Sequence, residues 1–163
     1  MQNLSPIQWA QRPLKNYADF SGRASRAEYW WFWLAYMLLN VILQVLMRIS
    51  PIFGLLGLLY LGLIIPMLAV GVRRLHDTER TGWWLLAPIA PYAIGIALVF
   101  SNGITSGANP LSLFTFGPAM IFMLIGFVLA VVVFIFTVLP GTKGPNRFGP
   151  DPHDEDNLEE VFA

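Results

Sequence analysis

The residues able to carry chemistry are concentrated in three short polar motifs. Motif 1 is 20–30 (FSGRASRAEYW), motif 2 is 73–84 (RRLHDTERTGWW) and motif 3 is 140–152 (PGTKGPNRFGPDP). The paired N–H donors of arginine bind phosphate and carboxylate groups, and a histidine changes its charge near neutral pH. The motifs therefore indicate a site for an anionic group. The candidate residues are Arg23, Arg26, Arg73, Arg74, His76, Asp77, Asn146 and Arg147.

Motifs 1 and 2 also have a structural interpretation, which stays open beside the functional one. Ser25 followed three residues later by Glu28 is a capping box, typical of a helix start before an apolar run. Arg73 and Asp77 stand one helical turn apart and are predicted to pair if the helix continues through motif 2. No partner for His76 follows from the sequence.

Motif 3 contains two Gly-Pro steps and two further prolines, which exclude a helix and impose a turned path. We expect a strap that folds back over the face carrying motifs 1 and 2. This path would bring Asn146 and Arg147 close to the other candidate residues.

Known catalytic and cofactor signatures are missing from the sequence. It has no cysteine, no Walker loop, no nucleophile elbow and no dinucleotide fingerprint, so no cofactor is predicted. A metal site would need His76, Asp77, Glu79 and His153, but neighbouring helical residues point apart, so no metal is expected. No catalytic residue is assigned; in an enzyme, His76 and Asp77 would be the candidates.

Four long apolar runs separate the motifs and must position them. They cover 30–47, 51–72, 83–100 and 116–139, and none contains Asp, Glu, Lys or Arg. Each is long enough to cross a bilayer as a helix. The chain is 56% hydrophobic and 12% charged, more apolar and less charged than a soluble domain. The sequence therefore predicts an all-α integral membrane bundle of four transmembrane helices, with kinks at Pro66 and Pro88.

The basic residues lie almost entirely on one side of the predicted bilayer. Nine of the ten Lys and Arg residues precede span one, follow span four or lie between spans two and three, and Arg48 is the exception. The positive-inside rule then places both termini in the cytoplasm. Residues 1–19 are expected to form an interfacial leader, 20–152 the transmembrane domain and 153–163 an acidic disordered tail. A cleavable signal peptide is not expected, because the first apolar run follows a polar leader.

The three motifs together resemble the bacterial inner-membrane family called domain of unknown function 805. The segments that carry the resemblance are FxGRxxRxEYW in 20–30, RRLHD in 73–77, GWW in 82–84 and NRFGPDP in 146–152. The family usually has a small residue where this chain has Glu79. The resemblance implies a small multi-pass protein of the bacterial inner (plasma) membrane, and it implies no established activity.

Three function classes remain open on these observations. The leading hypothesis is a membrane protein whose cytoplasmic polar face binds an anionic lipid headgroup, an anionic ligand or a partner protein. The alternatives are an interfacial enzyme acting on a lipid phosphate and an oligomeric transport component. Membrane lipids are expected partners and a homo-oligomer stays open, but the net charge of zero argues against nucleic acid. The spans contain no Asp, Glu, Lys or Arg, which argues against a proton-coupled carrier acting as a single chain.

Overall fold

The computed structural model describes residues 4–105 and 112–152, and no strand occurs within them. The helices are α1 (Pro6–Lys15), α2 (Arg26–Ile49), α3 (Leu56–Gly62), α4 (Ile64–Asp77), α5 (Ile89–Thr105) and α6 (Ser112–Val138). Short 3-10 turns, Pro51–Leu55 and Gly82–Leu86, come before α3 and α5. The predicted acidic tail 153–163 lies outside the described residues.

Four stretches of the described chain are long and apolar enough to cross a membrane. They are Arg26–Ile49, Ile52–Asp77, Gly82–Ser101 and Gly117–Val138. These stretches coincide with the four predicted runs, so the prediction of an all-α protein with four membrane-spanning helices is confirmed. The first stretch begins inside motif 1 and the second ends inside motif 2. Both motifs therefore contain a helix end.

The starts of α1 and α2 are fixed by serine caps. The Ser5 hydroxyl accepts from the Gln8 N–H at 3.3 Å, and the Gln8 side chain accepts from the Ser5 N–H at 2.7 Å, which completes a capping box. The Ser25 hydroxyl accepts from the Glu28 N–H at 3.2 Å, which is the serine half of the capping box predicted for the start of α2. The cap therefore brings motif 1 directly into the first spanning helix.

The second span is interrupted between α3 and α4. Pro66 lies in the first turn of α4 and has no N–H, so the carbonyl of Gly62, four residues earlier, lacks its helical donor. The Tyr17 hydroxyl, from the turn after α1, donates to this carbonyl at 2.5 Å. The interruption lies at Leu63, three residues before the proline at which the sequence predicts a kink. A side chain of the leader satisfies the carbonyl that Pro66 leaves without a donor.

The described residues form two compact units, 4–81 with 139–152 and 82–105 with 112–138. The first unit contains motifs 1 and 3 and most of motif 2. Its buried core lies between the start of α2 and the middle of α4. The core residues are Ala24, Tyr29, Phe32 and Val70, with Trp30, Trp33 and Met67 packed against them.

The second unit is the pair α5 and α6, which approach each other closely at two glycines. A Cβ at Gly95 would lie 3.1 Å from the Ala119 carbonyl oxygen, and one at Gly126 would lie 3.0 Å from the Tyr92 ring. A larger residue at either position would push the helices apart. A 3-10 turn replaces the start of the third predicted span, and the α-helix begins at Ile89, directly after Pro88.

Candidate functional site

The site is built on the C-terminal end of α4, where helix carbonyls lack helical donors. The Glu79 N–H donates to the His76 carbonyl at 3.0 Å and the Arg80 N–H donates to the Leu75 carbonyl at 2.9 Å, which is a Schellman motif. Glu79 has a φ of +60°, in the left-handed region where glycine is the least strained residue. The small residue that the resembled family usually has at this position fits this backbone conformation better than glutamate does.

Motifs 1 and 3 donate to two further carbonyls in the C-terminal part of α4. The Ala24 N–H donates to the Arg73 carbonyl at 3.0 Å, and the Thr142 N–H donates to the Asp77 carbonyl at 2.9 Å. Backbone hydrogen bonds therefore attach both motifs to the last turn of α4. This brings the three motifs together in the first unit.

The buried Asp77 carboxylate is shared by two arginines. Arg23 of motif 1 approaches Oδ1 with Nε at 3.0 Å and Nη2 at 2.9 Å. Arg74, one turn before Asp77, donates to Oδ2. Gly141 of motif 3 lies against the carboxylate so closely that no side chain fits there. One carboxylate thus connects all three motifs.

The remaining donors of these arginines bind backbone carbonyls of Leu139 and of motif 3. Arg23 donates to the Gly144 carbonyl at 2.6 Å and to the Thr142 carbonyl at 2.5 Å. Arg74 donates to the Leu139 carbonyl. The side chains of Arg23 and Arg74 are only 1% and 0% exposed. Both guanidinium groups therefore hold the framework of the site.

Arg73 does not form the predicted pair with Asp77. It binds the Glu28 carboxylate of α2 instead, with Nη2 3.0 Å from Oε1, and both side chains are buried. Arg23 and Arg74 occupy the two oxygens of Asp77, which leaves no room for the expected pairing along the helix. Glu28 thus has a second role beyond the helix start, because it joins α2 to α4.

His76 has fixed neighbours, which the sequence did not indicate. Its Nδ1 lies 3.0 Å from the Gly22 carbonyl oxygen, and its ring stacks on Phe148 with centroids 3.9 Å apart and an interplanar angle of 4°. A carbonyl can only accept, so Nδ1 carries the proton and the neutral ring leaves Nε2 as an acceptor. The imidazole is therefore held between motif 1 and motif 3.

The turn that leads into motif 1 has its own hydrogen bonds. The Asp19 carboxylate accepts from the Ser21 hydroxyl at 2.5 Å and from the Ser21 N–H at 2.9 Å. These two hydrogen bonds hold the pKa of Asp19 below its ordinary value. Gly22 follows with a φ of +75°, and this conformation turns its carbonyl toward His76.

Motif 3 forms the strap that its prolines predict. Asn146 and Gly149 exchange backbone hydrogen bonds of 3.0 and 3.1 Å around a tight turn. The Asn146 amide donates to the His76 carbonyl at 3.0 Å, and Arg147 donates to the Glu79 carbonyl at 2.8 Å. The strap therefore covers the end of α4, and Asn146 and Arg147 lie near the other candidate residues.

A cavity of about 180 Å³ with charged side chains in its lining opens beside Asp77 and motif 3. Its lining residues are Arg26, Asp77, Pro140, Gly141, Thr142, Lys143 and Asp151. Arg26 and Lys143 are exposed, and neither forms a hydrogen bond or an ion pair with another described residue. Asp151 accepts from the Gly144 N–H at 2.9 Å. Arg26 and Lys143 are thus the cations of this region that are directed to solvent.

The eight candidate residues therefore fall into different structural settings. Arg23, Arg73, Arg74 and Asp77 are buried in ion pairs. Asn146 and Arg147 attach the strap to backbone carbonyls at the end of α4. The His76 ring contacts the Gly22 carbonyl of motif 1 and stacks on Phe148 of the strap. Arg26 lines the cavity. His153, which the metal hypothesis needed, lies outside the described residues.

Sequence reasoning missed three residues that shape the cavity: Gly141, Lys143 and Asp151. All three belong to motif 3. The sequence of a proline-rich segment does not indicate which side chains or backbone groups its residues contact. Tyr17 was also missed as a hydrogen-bond donor. The signal for Tyr17 was indirect, since the missing N–H of Pro66 required a donor for the Gly62 carbonyl.

Comparison with known proteins identifies the relatives of this chain. The family model described as "Protein of unknown function (DUF805)" matches residues 17–150. Inner membrane protein YhaI of Escherichia coli (strain K12) is 35% identical over 151 residues, with 90% of this chain and 96% of the relative covered. Inner membrane protein YhaH of the same strain is 33% identical over 158 residues, with 90% and 97% covered.

A third relative, the uncharacterized protein YiiR of Escherichia coli (strain K12), is 29% identical over 142 residues, with 83% of this chain and 87% of the relative covered. No solved structure matches the chain significantly. The family match includes motifs 1 and 2 and all four spans, and it ends within motif 3. The chain therefore belongs to the DUF805 family, whose function is not known, and it is a multi-pass membrane protein.

Proposed function

We propose that this protein resides in the bacterial inner membrane and binds a phosphate-bearing anionic group in the cavity beside Arg26 and Lys143. The polar end of the first unit faces the cytoplasm in this proposal, with both termini on that side. Two relatives are named inner membrane proteins, which supports the location. The distribution of Lys and Arg supports the orientation.

The charge around the cavity supports binding of an anion. Arg26 and Lys143 line it together with the carboxylates of Asp77 and Asp151. Asp77 is already bound to Arg23 and Arg74, so the region holds four cations against two carboxylates. One excess positive charge belongs to the buried arginines on Asp77. The other belongs to the exposed Arg26 and Lys143, which outnumber Asp151. This is the observation on which the proposal depends.

A phosphate group suits these residues better than a larger metabolite. Arginine presents a planar fork of donors that matches phosphate oxygens, and lysine adds a point charge. The volume of about 180 Å³ is below the roughly 300–1,000 Å³ of pockets for drug-sized ligands. A cavity of this size holds a headgroup or a small phosphoester. A lipid headgroup and a free phosphoester would both present the same phosphate group to the cavity.

The test is removal of the two exposed charges in the full-length protein. We expect the Arg26→Gln, Lys143→Gln double variant to bind glycerol phosphate in neutral detergent about tenfold more weakly or worse, because a hydrogen bond to a charged group contributes about 1.5–3 kcal/mol. Titration calorimetry measures the soluble ligand. Native mass spectrometry of bound phosphatidylglycerol measures the lipid, so the two arms separate the sources.

Arg48→Gln provides a matched control. Arg48 is exposed and lies 22 residues after Arg26 on the same helix, at its opposite end. The control must bind both ligands as the unmodified protein does. Equal binding by the double variant and the Arg48→Gln control would refute the proposed site.

A further inference from the structure

The buried side of the cavity carries one positive charge in excess. Arg23 and Arg74 both bind the Asp77 carboxylate, which lines the cavity. These three side chains are buried, so salt and water screen their charges only weakly. Arg73, next to Arg74 in the sequence, is paired with the buried Glu28 and adds no net charge. A ligand in the cavity is therefore attracted by one uncompensated positive charge of the buried cluster.

The exposed side of the cavity carries a second positive charge in excess. Arg26 and Lys143 are exposed cations, and Asp151 supplies one negative charge beside them. The Asp151 carboxylate accepts from the Gly144 N–H at 2.9 Å, so it enters this balance through its charge and not as a contact for a ligand. The two sides together present two excess positive charges. A dianion neutralises this excess, whereas a monoanion leaves half of it.

We infer that the cavity selects a phosphate monoester in its dianionic form over phosphodiesters and other singly charged anions. This inference rests on the proposed function, because it places the phosphate at Arg26 and Lys143, and it adds the class of phosphate. A monoester has nearly two negative charges at neutral pH and three terminal oxygens. The arginine fork matches two of these oxygens and the lysine ammonium serves the third. A phosphodiester offers one charge and two such oxygens.

Three soluble ligands separate charge from shape in the unmodified full-length protein, in neutral detergent at about pH 7.5. Glycerol phosphate is a dianion with three terminal oxygens. Glycerol sulfate has the same three oxygens but a single charge, and the methyl ester of glycerol phosphate has a single charge and two oxygens. Titration calorimetry is expected to show glycerol phosphate bound about tenfold more tightly than either. Equal affinities for the phosphate and the sulfate would overturn the inference and leave the proposed function intact.

Acidification tests the same point with one ligand. The second proton of a phosphate monoester binds with a pKa of about 6, so roughly a tenth of it is dianionic at about pH 5, and its affinity is expected to fall about tenfold. The titratable groups of the protein act in the opposite direction. Burial lowers the pKa of His76, and protonation of this ring or of the carboxylates of Asp77 and Asp151 would add positive charge and strengthen anion binding.

Glycerol sulfate is the internal control for acidification, because it stays a monoanion over the whole range. Its affinity must not fall between about pH 7.5 and about pH 5. A change in the protein itself would weaken both ligands together. A parallel fall for the phosphate and the sulfate, or a constant affinity for the phosphate, would overturn the inference.

Lys143→Gln removes one of the two excess charges. Because a Coulomb energy is proportional to the charge of the ligand, this variant is expected to weaken glycerol phosphate by a larger factor than glycerol sulfate. Lys15→Gln is the matched control, since Lys15 is an exposed lysine of α1 that does not line the cavity. The control must keep the ratio of the two affinities. Equal factors for the two ligands in Lys143→Gln would show that charge matching does not set the selection.

The lipid source is tested separately. Native mass spectrometry with equal amounts of phosphatidic acid, a monoester, and phosphatidylglycerol, a diester, is expected to show more bound phosphatidic acid. A preference confined to the soluble ligands would assign the site to a free phosphate monoester. If the Arg26→Gln, Lys143→Gln double variant binds glycerol phosphate and both lipids normally, the proposed function and this inference fail together. If binding is lost in that variant but the unmodified protein has no preference for monoesters, the inference alone fails.

Discussion

Arg23 Nε donates to Asp77 Oδ1 at 3.0 Å, although 54 residues and a complete pair of membrane crossings separate the two residues. Three arginines and two carboxylates are buried around this contact, so the cluster carries one excess positive charge. Arg23 also donates hydrogen bonds to the carbonyl oxygens of Gly144 and Thr142 in motif 3. The strap therefore stabilises the buried positive charge through the dipoles of its carbonyl groups.

Asp77→Asn is expected to destabilise the protein strongly. The variant leaves the buried guanidinium groups of Arg23 and Arg74 without a compensating carboxylate, and breaking a buried ion pair in this way costs about 3–5 kcal/mol. Thermal unfolding in detergent, followed by tryptophan fluorescence, measures the loss. Glu79→Gln removes an exposed carboxylate two residues later and should leave the transition unchanged. A similar transition for both variants would show that Asp77 does not organise the cluster.

Gly141→Ala is expected to displace the same carboxylate. A Cβ at this position would overlap both oxygens of Asp77, which cannot move away because Arg23 and Arg74 hold them. Overpacking of this kind costs about 1–3 kcal/mol. The measurement is the same unfolding transition. Gly57→Ala is the control, because no atom lies within 4 Å of a Cβ at Gly57; a loss of stability there equal to that of Gly141→Ala would contradict this account.

The fold was predictable because membrane insertion depends on composition and length, which are local. Each run of 18 or more residues without charge requires a spanning helix. Ser25 gave the correct start of α2 for the same reason, since a helix cap acts within four residues. These elements need no knowledge of tertiary contacts.

The partners of the charged residues were not predictable from spacing. Arg73 and Asp77 have the correct separation for a pair along a helix, yet Arg73 binds Glu28 and Asp77 binds Arg23 and Arg74. The choice depends on which face of α4 packs on α2, and that is a tertiary relationship. The contact of His76 with Phe148 was not predictable for the same reason, because the two residues are 72 positions apart in the sequence.

Tyr17→Phe is expected to destabilise the junction of α3 and α4. The change removes the hydroxyl donor and leaves the Gly62 carbonyl without a partner from its own helix, because Pro66 has no N–H. An unsatisfied carbonyl costs about 1–3 kcal/mol. The unfolding transition of the single variant measures this cost.

A double-mutant cycle with Pro66→Ala separates the hydrogen bond from other effects of the Tyr17 hydroxyl. Alanine restores an N–H that can donate to the Gly62 carbonyl, so Tyr17→Phe should cost clearly less in the Pro66→Ala background. The coupling energy is expected to be about 0.5–3 kcal/mol. An equal cost in both backgrounds would mean that Tyr17 does not act through this carbonyl.

Glu79→Gly is expected to stabilise the protein. Glu79 closes the Schellman motif of α4 with a φ of +60°, where a side chain costs roughly 1–2 kcal/mol and glycine costs much less. The gain is reduced by the greater chain entropy of glycine in the unfolded state, so we expect an increase of about 1 kcal/mol in the free energy of unfolding. Glu79→Ala removes the same charge but keeps a Cβ in the strained conformation. A gain in Glu79→Gly that Glu79→Ala lacks therefore identifies backbone strain as the cause, whereas equal gains in the two variants would assign the effect to the carboxylate.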